Sequence, residues 1–241
     1  MVSARDVRAA RQMQAVLTMP LLLRFWHAAS DPLRSHWRDL LLANAAYFGL
    51  VLVGAVVSAR DPDIQQALLR NARQALTTGP LAVAVQAYAQ RNLPLAIGLT
   101  FGFNLVFSSA FFLTLPSLAF PFAGVALGLV RAFMWGLLFA PTSRELALAM
   151  IPNSATMLLE GEAYVIAVMG AFVLWRDVLW PDPRTAWRDE GTGARPDRAR
   201  AYLAGLRLNL RLYVPISVVL FIAAVYEVLA VVYIVPRLLG R

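Results

Sequence analysis

Four ionisable side chains lie in almost wholly apolar surroundings: Arg131, Glu160, Glu162 and Glu227. A charge is costly in hydrocarbon, so each is expected to face a bundle interior, an aqueous cavity or the membrane interface instead of lipid. Arg131 is expected to pair with Glu160 or Glu227, and such a pair would either line a functional cavity or fix helix orientation. Glu160 and Glu162 are two apart on a helix, hence near opposite faces, and cannot converge as an acid and a base. That disfavours a hydrolase built on two carboxylates. Asn44, Asn104 and Asn209 can bridge helices through hydrogen bonds worth roughly 0.6 to 2 kcal/mol apiece.

Other chemistry is scarce. The chain holds two histidines, His27 and His36, both beside tryptophans and neither in a metal-ligand spacing. With no cysteine there is no disulfide, thiolate or cysteine metal site. Ser108 and Ser109 form a hydroxyl pair without a nearby base. No nucleophile elbow, phosphate loop or dinucleotide glycine fingerprint occurs. No catalytic, cofactor-binding or metal-ligating residue is assigned, and no cofactor is expected.

These residues must be positioned by helices that cross a bilayer. The 241 residues are 59% hydrophobic and 15% charged, outside the usual range of soluble domains. Several apolar runs reach the ~20 residues a helix needs to span hydrocarbon. The pattern predicts an all-α, polytopic transmembrane helix bundle of about five spans: Leu40 to Ala59, Leu93 to Leu115, Phe122 to Phe139, Ser154 to Trp175 and Leu212 to Pro236. A sixth span, or a re-entrant Leu81 to Ala89, is the competing count. Residues 1–39 are expected to form a cytoplasmic or interfacial segment whose amphipathic helix lies on the membrane, followed by the transmembrane domain 40–236.

Several connections are legible too. Asp61 and Pro62 read as a cap and first turn. They open an amphipathic extracytoplasmic helix with Ile64, Leu68, Ala72 and Leu76 on one face and Gln65, Arg70, Arg73 and Gln74 on the other. Pro116 and Pro121 mark a tight hairpin between the second and third spans. Pro141 and Pro152 bracket a short polar connection before the fourth. Residues 176–206 read as a charged cytoplasmic loop, with Asp197 capping a helix that climbs into the last span.

All 22 basic residues are arginine, and they cluster beside the apolar segments. That suits topology and anionic head groups and argues against nucleic acid as a partner. With five spans, the amino-terminal segment and the 176–206 loop share one side, with about fourteen arginines against about seven opposite. The positive-inside rule then places both in the cytoplasm and the carboxyl terminus outside, in an inner (plasma) membrane.

Small residues suggest close helix crossings. Gly98 and Gly102 form one G-x-x-x-G. Gly124, Gly128, Ala132 and Gly136 form a longer stripe at every fourth position. The stripe is expected to pack within the subunit, with homo-oligomerisation through it as the competing use.

Two segments carry a resemblance. Gln90-Arg91-Asn92-Leu93-Pro94-Leu95-Ala96-Ile97-Gly98 and Ile151-Pro152 with Leu159-Glu160-Gly161-Glu162-Ala163-Tyr164-Val165-Ile166-Ala167 resemble the stage II sporulation protein M family. In that family an asparagine marks the start of a glycine-containing span after an amphipathic extracytoplasmic helix. A proline, a histidine-glycine pair, a glutamate and a small-residue helix follow later. Here Asn153-Ser154 replaces the histidine-glycine pair, the glutamate lies farther downstream, and Leu129 to Gly136 stands where an asparagine-glycine pair is expected. The likeness covers roughly Leu40 to Trp175. It implies a non-enzymatic envelope membrane protein; Asn92, Pro152, Glu160 and Glu162 are the matching or nearly matching positions.

The expected function is therefore a non-enzymatic membrane scaffold or assembly protein, its partners the lipid bilayer and other membrane or envelope proteins. The alternative is the permease subunit of a transporter or exporter working with a separate ATPase. The two differ at Arg131 and Glu160: a transporter would open a watery cavity to them, whereas a scaffold would keep them packed.

Overall fold

A computed structural model describes residues 30–78, 82–180 and 198–240. The amphipathic amino-terminal helix and residues 181–197 of the expected cytoplasmic loop lie outside the described residues. Within them every regular element is a helix. We number these α1 (Trp37–Arg60), α2 (Pro62–Thr78), α3 (Ala82–Ala89), α4 (Leu93–Ala119), α5 (Ala123–Phe139), α6 (Arg144–Leu179) and α7 (Arg198–Leu238).

Four helices, α1, α4, α6 and α7, are long and apolar enough to cross a membrane. At 1.5 Å per residue the shortest of them is about 36 Å long. α5 is apolar but has 17 residues, the lower limit for a span. Hydrogen bonds at the two ends of the bundle fix the alternating course of the chain. At one end the starts of α1 and α7 meet the ends of α4 and α6: Arg176 Nη1 lies 2.6 Å from Asp39 Oδ1, Trp175 Nε1 donates to Ser117 O at 2.5 Å, and Tyr202 Oη donates to Leu118 O at 2.8 Å. At the other end Ser58 Oγ donates to Leu137 O at 2.7 Å, joining the ends of α1 and α5.

α6 is the centre of the bundle. Of its most apolar window 72% is buried, against 11% for α1, and the stretch Ala163 to Ala171 is buried without interruption. An apolar residue on every face is what a helix surrounded by other helices requires. Tyr47 of α1, Leu113 of α4, Ala132 of α5 and Leu212, Ile216 and Leu220 of α7 close around it.

The structure corrects three local expectations. α6 begins at Arg144 and runs through Pro152, so the polar connection expected between Pro141 and Pro152 narrows to residues 140–143. Proline removes one backbone donor, which here leaves the carbonyl of Leu148 without its usual helical partner, a gap that membrane helices tolerate. The 176–206 loop is likewise shorter at its start, since α6 continues to Leu179, while α7 is helical from Arg198, directly after the Asp197 expected to cap it. α7 then passes through Pro215 to Leu238.

The third correction is Gln65. Assigned to the polar outer face of α2, it is buried and turns inward. Its Nε2 donates to Leu138 O at 3.0 Å and Ala140 O at 2.8 Å, while Thr142 Oγ1 donates to its Oε1. The last carbonyls of a helix have no partner within it, and Gln65 supplies one for the end of α5. Ile64 and Leu76, on the expected apolar face of α2, are 37% and 40% exposed instead of packed on the bundle.

The turns are tight. Asn92 accepts from Leu95 N at 3.3 Å and caps α4, with Pro94 in the first turn. Arg91 just before it and Phe122 before α5 have φ of 56° and 57°, left-handed backbone that bulky residues rarely adopt. Phe122 is held there by its ring, 6.0 Å from Phe172 and 6.2 Å from Trp180 between centroids. Ser117 Oγ accepts from Gly124 N at 2.7 Å and locks the same hairpin.

Candidate functional site

Glu160 is the focus. Its side chain emerges from the buried core of α6 and is 6% exposed. Asn104 of α4 donates Nδ2 to Glu160 Oε1 at 2.5 Å. Glu227 of α7 lies within electrostatic reach of Glu160 and of Tyr88 on α3. Tyr88 Oη then pairs with Thr100 Oγ1 at 2.8 Å. Two hydrogen bonds, Asn104 to Glu160 and Tyr88 with Thr100, thus tie α4 to α6 and α3 to α4, with Glu227 between them electrostatically.

The local helix geometry explains who reaches this point. Phe103 to Thr114 of α4 is π-helical, with hydrogen bonds from each residue to the fifth before it, a form common at functional sites. Its buried residues, Asn104, Ser108, Ser109 and Leu113, recur at the four-to-five spacing of that wider repeat. On α6, Thr156, Glu160 and Tyr164 follow one another every four residues and share a face.

Arg131 does not do what the sequence suggested. Among the described residues it forms no ion pair with Glu160 or Glu227. Its guanidinium carbon stands 4.3 Å from the Tyr164 ring centroid and 5.0 Å from that of Trp135. A planar, weakly hydrated guanidinium stacks well on aromatic faces, and this sandwich of α5 on α6 holds Arg131 within electrostatic reach of Glu160 without direct pairing. Around it the hydroxyls of Tyr47, Ser108, Thr156 and Tyr164, and Arg131 Nε, are buried without a hydrogen-bond partner.

The remaining sequence-singled residues fall elsewhere. Glu162 is half-buried on another face of α6, where Asn44 Nδ2 of α1 donates to its Oε2 at 3.4 Å. Asn209 Nδ2 of α7 donates to Gly170 O at 3.1 Å, so it also bridges helices. Asn92 is an exposed helix cap outside the network.

The glycines divide into two groups. A Cβ on Gly124 would strike Leu113 O and Ser117 Oγ of α4, one on Gly128 would strike Val168 of α6, and one on Gly136 would strike Val51 O of α1. The stripe on α5 is therefore occupied three times within the subunit. A Cβ on Gly98 or Gly102 would meet nothing within 4 Å, so among the described residues that pair packs against no helix.

Sequence reasoning missed Tyr47, Tyr88, Tyr164, Thr100, Gly54 and the Asp39–Arg176 bridge. One signal was present for the tyrosines. Tyr47 and Tyr164 sit midway along apolar segments instead of in the interfacial belts where tyrosine is usual, and Tyr164 is one turn from Glu160. Nothing in the sequence marks Tyr88 as the partner of Thr100.

Chemically, the site is a buried carboxyl held by an amide donor, with a second carboxyl and a guanidinium within electrostatic reach. Among the described residues no three histidine, cysteine, aspartate or glutamate side chains come together as a metal-ligand group. A cavity of about 370 Å³ lies at the end of the bundle where α6 begins, lined by Arg144, Glu145, Leu148, Leu238, Leu239 and Gly240; none of the network residues borders it. Compared with models of known families, with curated proteins and with solved structures, the chain matches none.

Proposed function

We propose that this protein is a non-enzymatic integral membrane scaffold or assembly subunit of the inner membrane. In this reading it has five spans, with α5 as a short third crossing. α2 lies along the outer interface and dips its exposed Ile64 and Leu76 toward lipid. The positive-inside balance of the arginines supports a cytoplasmic amino terminus, which puts the 181–197 segment on the cytoplasmic side as a docking surface. The similarity to the stage II sporulation protein M family, carried by the Asn92 cap and by Pro152, Glu160 and Glu162, points the same way.

The observation that carries this reading is the packing of Glu160. It accepts a hydrogen bond from Asn104 and is 6% exposed, where a permease path would leave its charges lining an open cavity. Buried polar contacts in lipid tie helices together and fix their rotation.

The test is affinity purification of the intact protein in mild detergent, with copurifying chains identified by mass spectrometry. Envelope proteins or cell-wall hydrolases in fixed stoichiometry are the expected result. A nucleotide-binding ATPase in fixed stoichiometry would overturn it in favour of a permease subunit.

A further inference from the structure

The outer face of α7 carries charge where lipid is expected. Arg207 and Arg211 are exposed, one helical turn apart and therefore on the same face. Among the described residues neither pairs with a carboxylate. A span beginning at Leu212 would leave both arginines outside the membrane, but the packing of α7 on α6 sets them deeper.

The depth follows from contacts along α1, α6 and α7. Between Asp39 and Arg60, α1 has 20 residues without a charge, about 30 Å of helix and the thickness of a hydrocarbon core. Asp39 thus marks one boundary, and its 2.6 Å bridge to Arg176 carries that boundary to α6. Trp175 and Tyr202, bonded to Ser117 O and Leu118 O at the same end, fit the aromatic belt expected there. From this end α6 and α7 run antiparallel. A Cβ on Gly205 would stand 3.0 Å from Leu174 Cα, and Asn209 Nδ2 donates to Gly170 O at 3.1 Å. Asn209 is therefore level with Gly170, six residues from Arg176 toward the middle of the bundle, with Arg207 two residues shallower and Arg211 two deeper. At 1.5 Å per residue their backbones start about 6 Å and about 12 Å inside the boundary, measured along the helix.

A charge facing hydrocarbon is costly, and arginine lowers the cost by snorkelling toward the head groups. Arg207 has the shorter path. Arg211, twice as deep, is best served by an anion drawn down to meet it. Farther along the same side of α7 the surface is bare and apolar: Val218, Phe221 and Ile222 are 40%, 51% and 51% exposed. Two cations above an open apolar strip match a molecule with a negative head and hydrocarbon tails, whereas a soluble anion would match the arginines alone. A planar guanidinium also suits phosphate oxygens, which it can engage through two parallel hydrogen bonds.

We propose that Arg207 and Arg211 form a binding site for the phosphate of an acidic phospholipid, whose acyl chains lie along Val218, Phe221 and Ile222. The inference needs α7 to cross the membrane and is independent of the scaffold reading.

Native mass spectrometry of the intact protein, titrated in detergent with phosphatidylglycerol or phosphatidylcholine, tests the site. The wild type should retain phosphatidylglycerol in clear preference. Arg207→Gln and Arg211→Gln should each weaken that binding about fivefold, the equivalent of about 1 kcal/mol per arginine near an anionic surface, and the double variant should weaken it further. Arg70→Gln and Arg73→Gln on α2 remove the same charge elsewhere and should leave binding unchanged. Equal retention of the two lipids by the wild type would overturn the proposal whether or not the variants fold. Unchanged binding in the double variant, or an equal loss in the α2 variants, would overturn it too. Inorganic phosphate at the concentration of the lipid should not displace it; displacement would assign the arginines to a soluble anion. A wild-type dimer that the double variant loses would assign them to a second copy of the chain, against the lipid site.

Discussion

Gly54 of α1 and Gly136 of α5 face each other backbone to backbone: a Cβ built on Gly136 would stand 2.9 Å from the Cα of Gly54, and one on Gly54 would stand 3.0 Å from the Cα of Gly136. Lipid offers no hydrophobic drive for helix association, so close backbone approach and the dispersion contacts it permits are what hold such a crossing. Because the obstructing atoms are backbone, no side chain can swing aside to admit a larger residue.

Gly136→Val and Gly54→Val are therefore expected to destabilise the protein by about 1–3 kcal/mol or more, the usual range for overpacking. Gly98→Ala and Gly102→Ala should be neutral or slightly stabilising, since their faces are open and alanine is favoured over glycine in a helix by roughly 0.5–1 kcal/mol. Melting temperatures of the four variants in one detergent check this. Equal losses at Gly98 and Gly136 would refute the division of the two glycine motifs.

Asn104→Leu removes the donor to Glu160 while keeping the volume of the side chain. The expected loss is about 1–3 kcal/mol, because a buried carboxyl is left short of a partner, with Asn104→Asp more damaging through a third carboxylate. Unfolding followed by tryptophan fluorescence measures it. If Asn104→Leu were as stable as wild type, the bond would carry no weight in the fold.

Gln65→Leu should expose a different weakness. The carbonyls of Leu138 and Ala140 lose their donor, at a cost of about 1–3 kcal/mol if they stay buried, and the end of α5 should fray. Hydrogen exchange resolved by peptide is the measurement: amides near the end of α5 and the start of α6 should exchange faster, with those around Glu160 unchanged. Uniform acceleration throughout the bundle would mean that Gln65 supports more than this one helix end.

The natural absence of cysteine makes orientation easy to measure. A membrane-impermeant thiol reagent applied to intact cells should label Thr77→Cys at the end of α2 and leave Ala194→Cys unlabelled until the membrane is opened. The reverse pattern would invert the proposed topology, and labelling of both would break the count of five crossings.

The helices were legible where periodicity and punctuation agree. Asp61-Pro62, Asn92 with Pro94, and the pair Pro116 and Pro121 each stand at or within a few residues of a helix boundary, because caps and turns are local and written in adjacent residues. Pro152 misled for the same reason. Its effect on isolated helices is to break them, and only the surrounding bundle decides that α6 continues.

By itself the sequence determined that the chain is helical and apolar enough to cross a membrane, and that Arg131, Glu160 and Glu227 are too costly to face lipid. Those conclusions need only composition, length and transfer free energy. Partnership was decided by the tertiary structure. Arg131 stacks on Tyr164 and Trp135, Glu160 meets Asn104, and Gln65 turns inward to the end of α5. Such pairings depend on the rotation and depth of each helix against its neighbours, set jointly by close crossings such as Gly54 on Gly136 and by which polar groups must find a partner away from water.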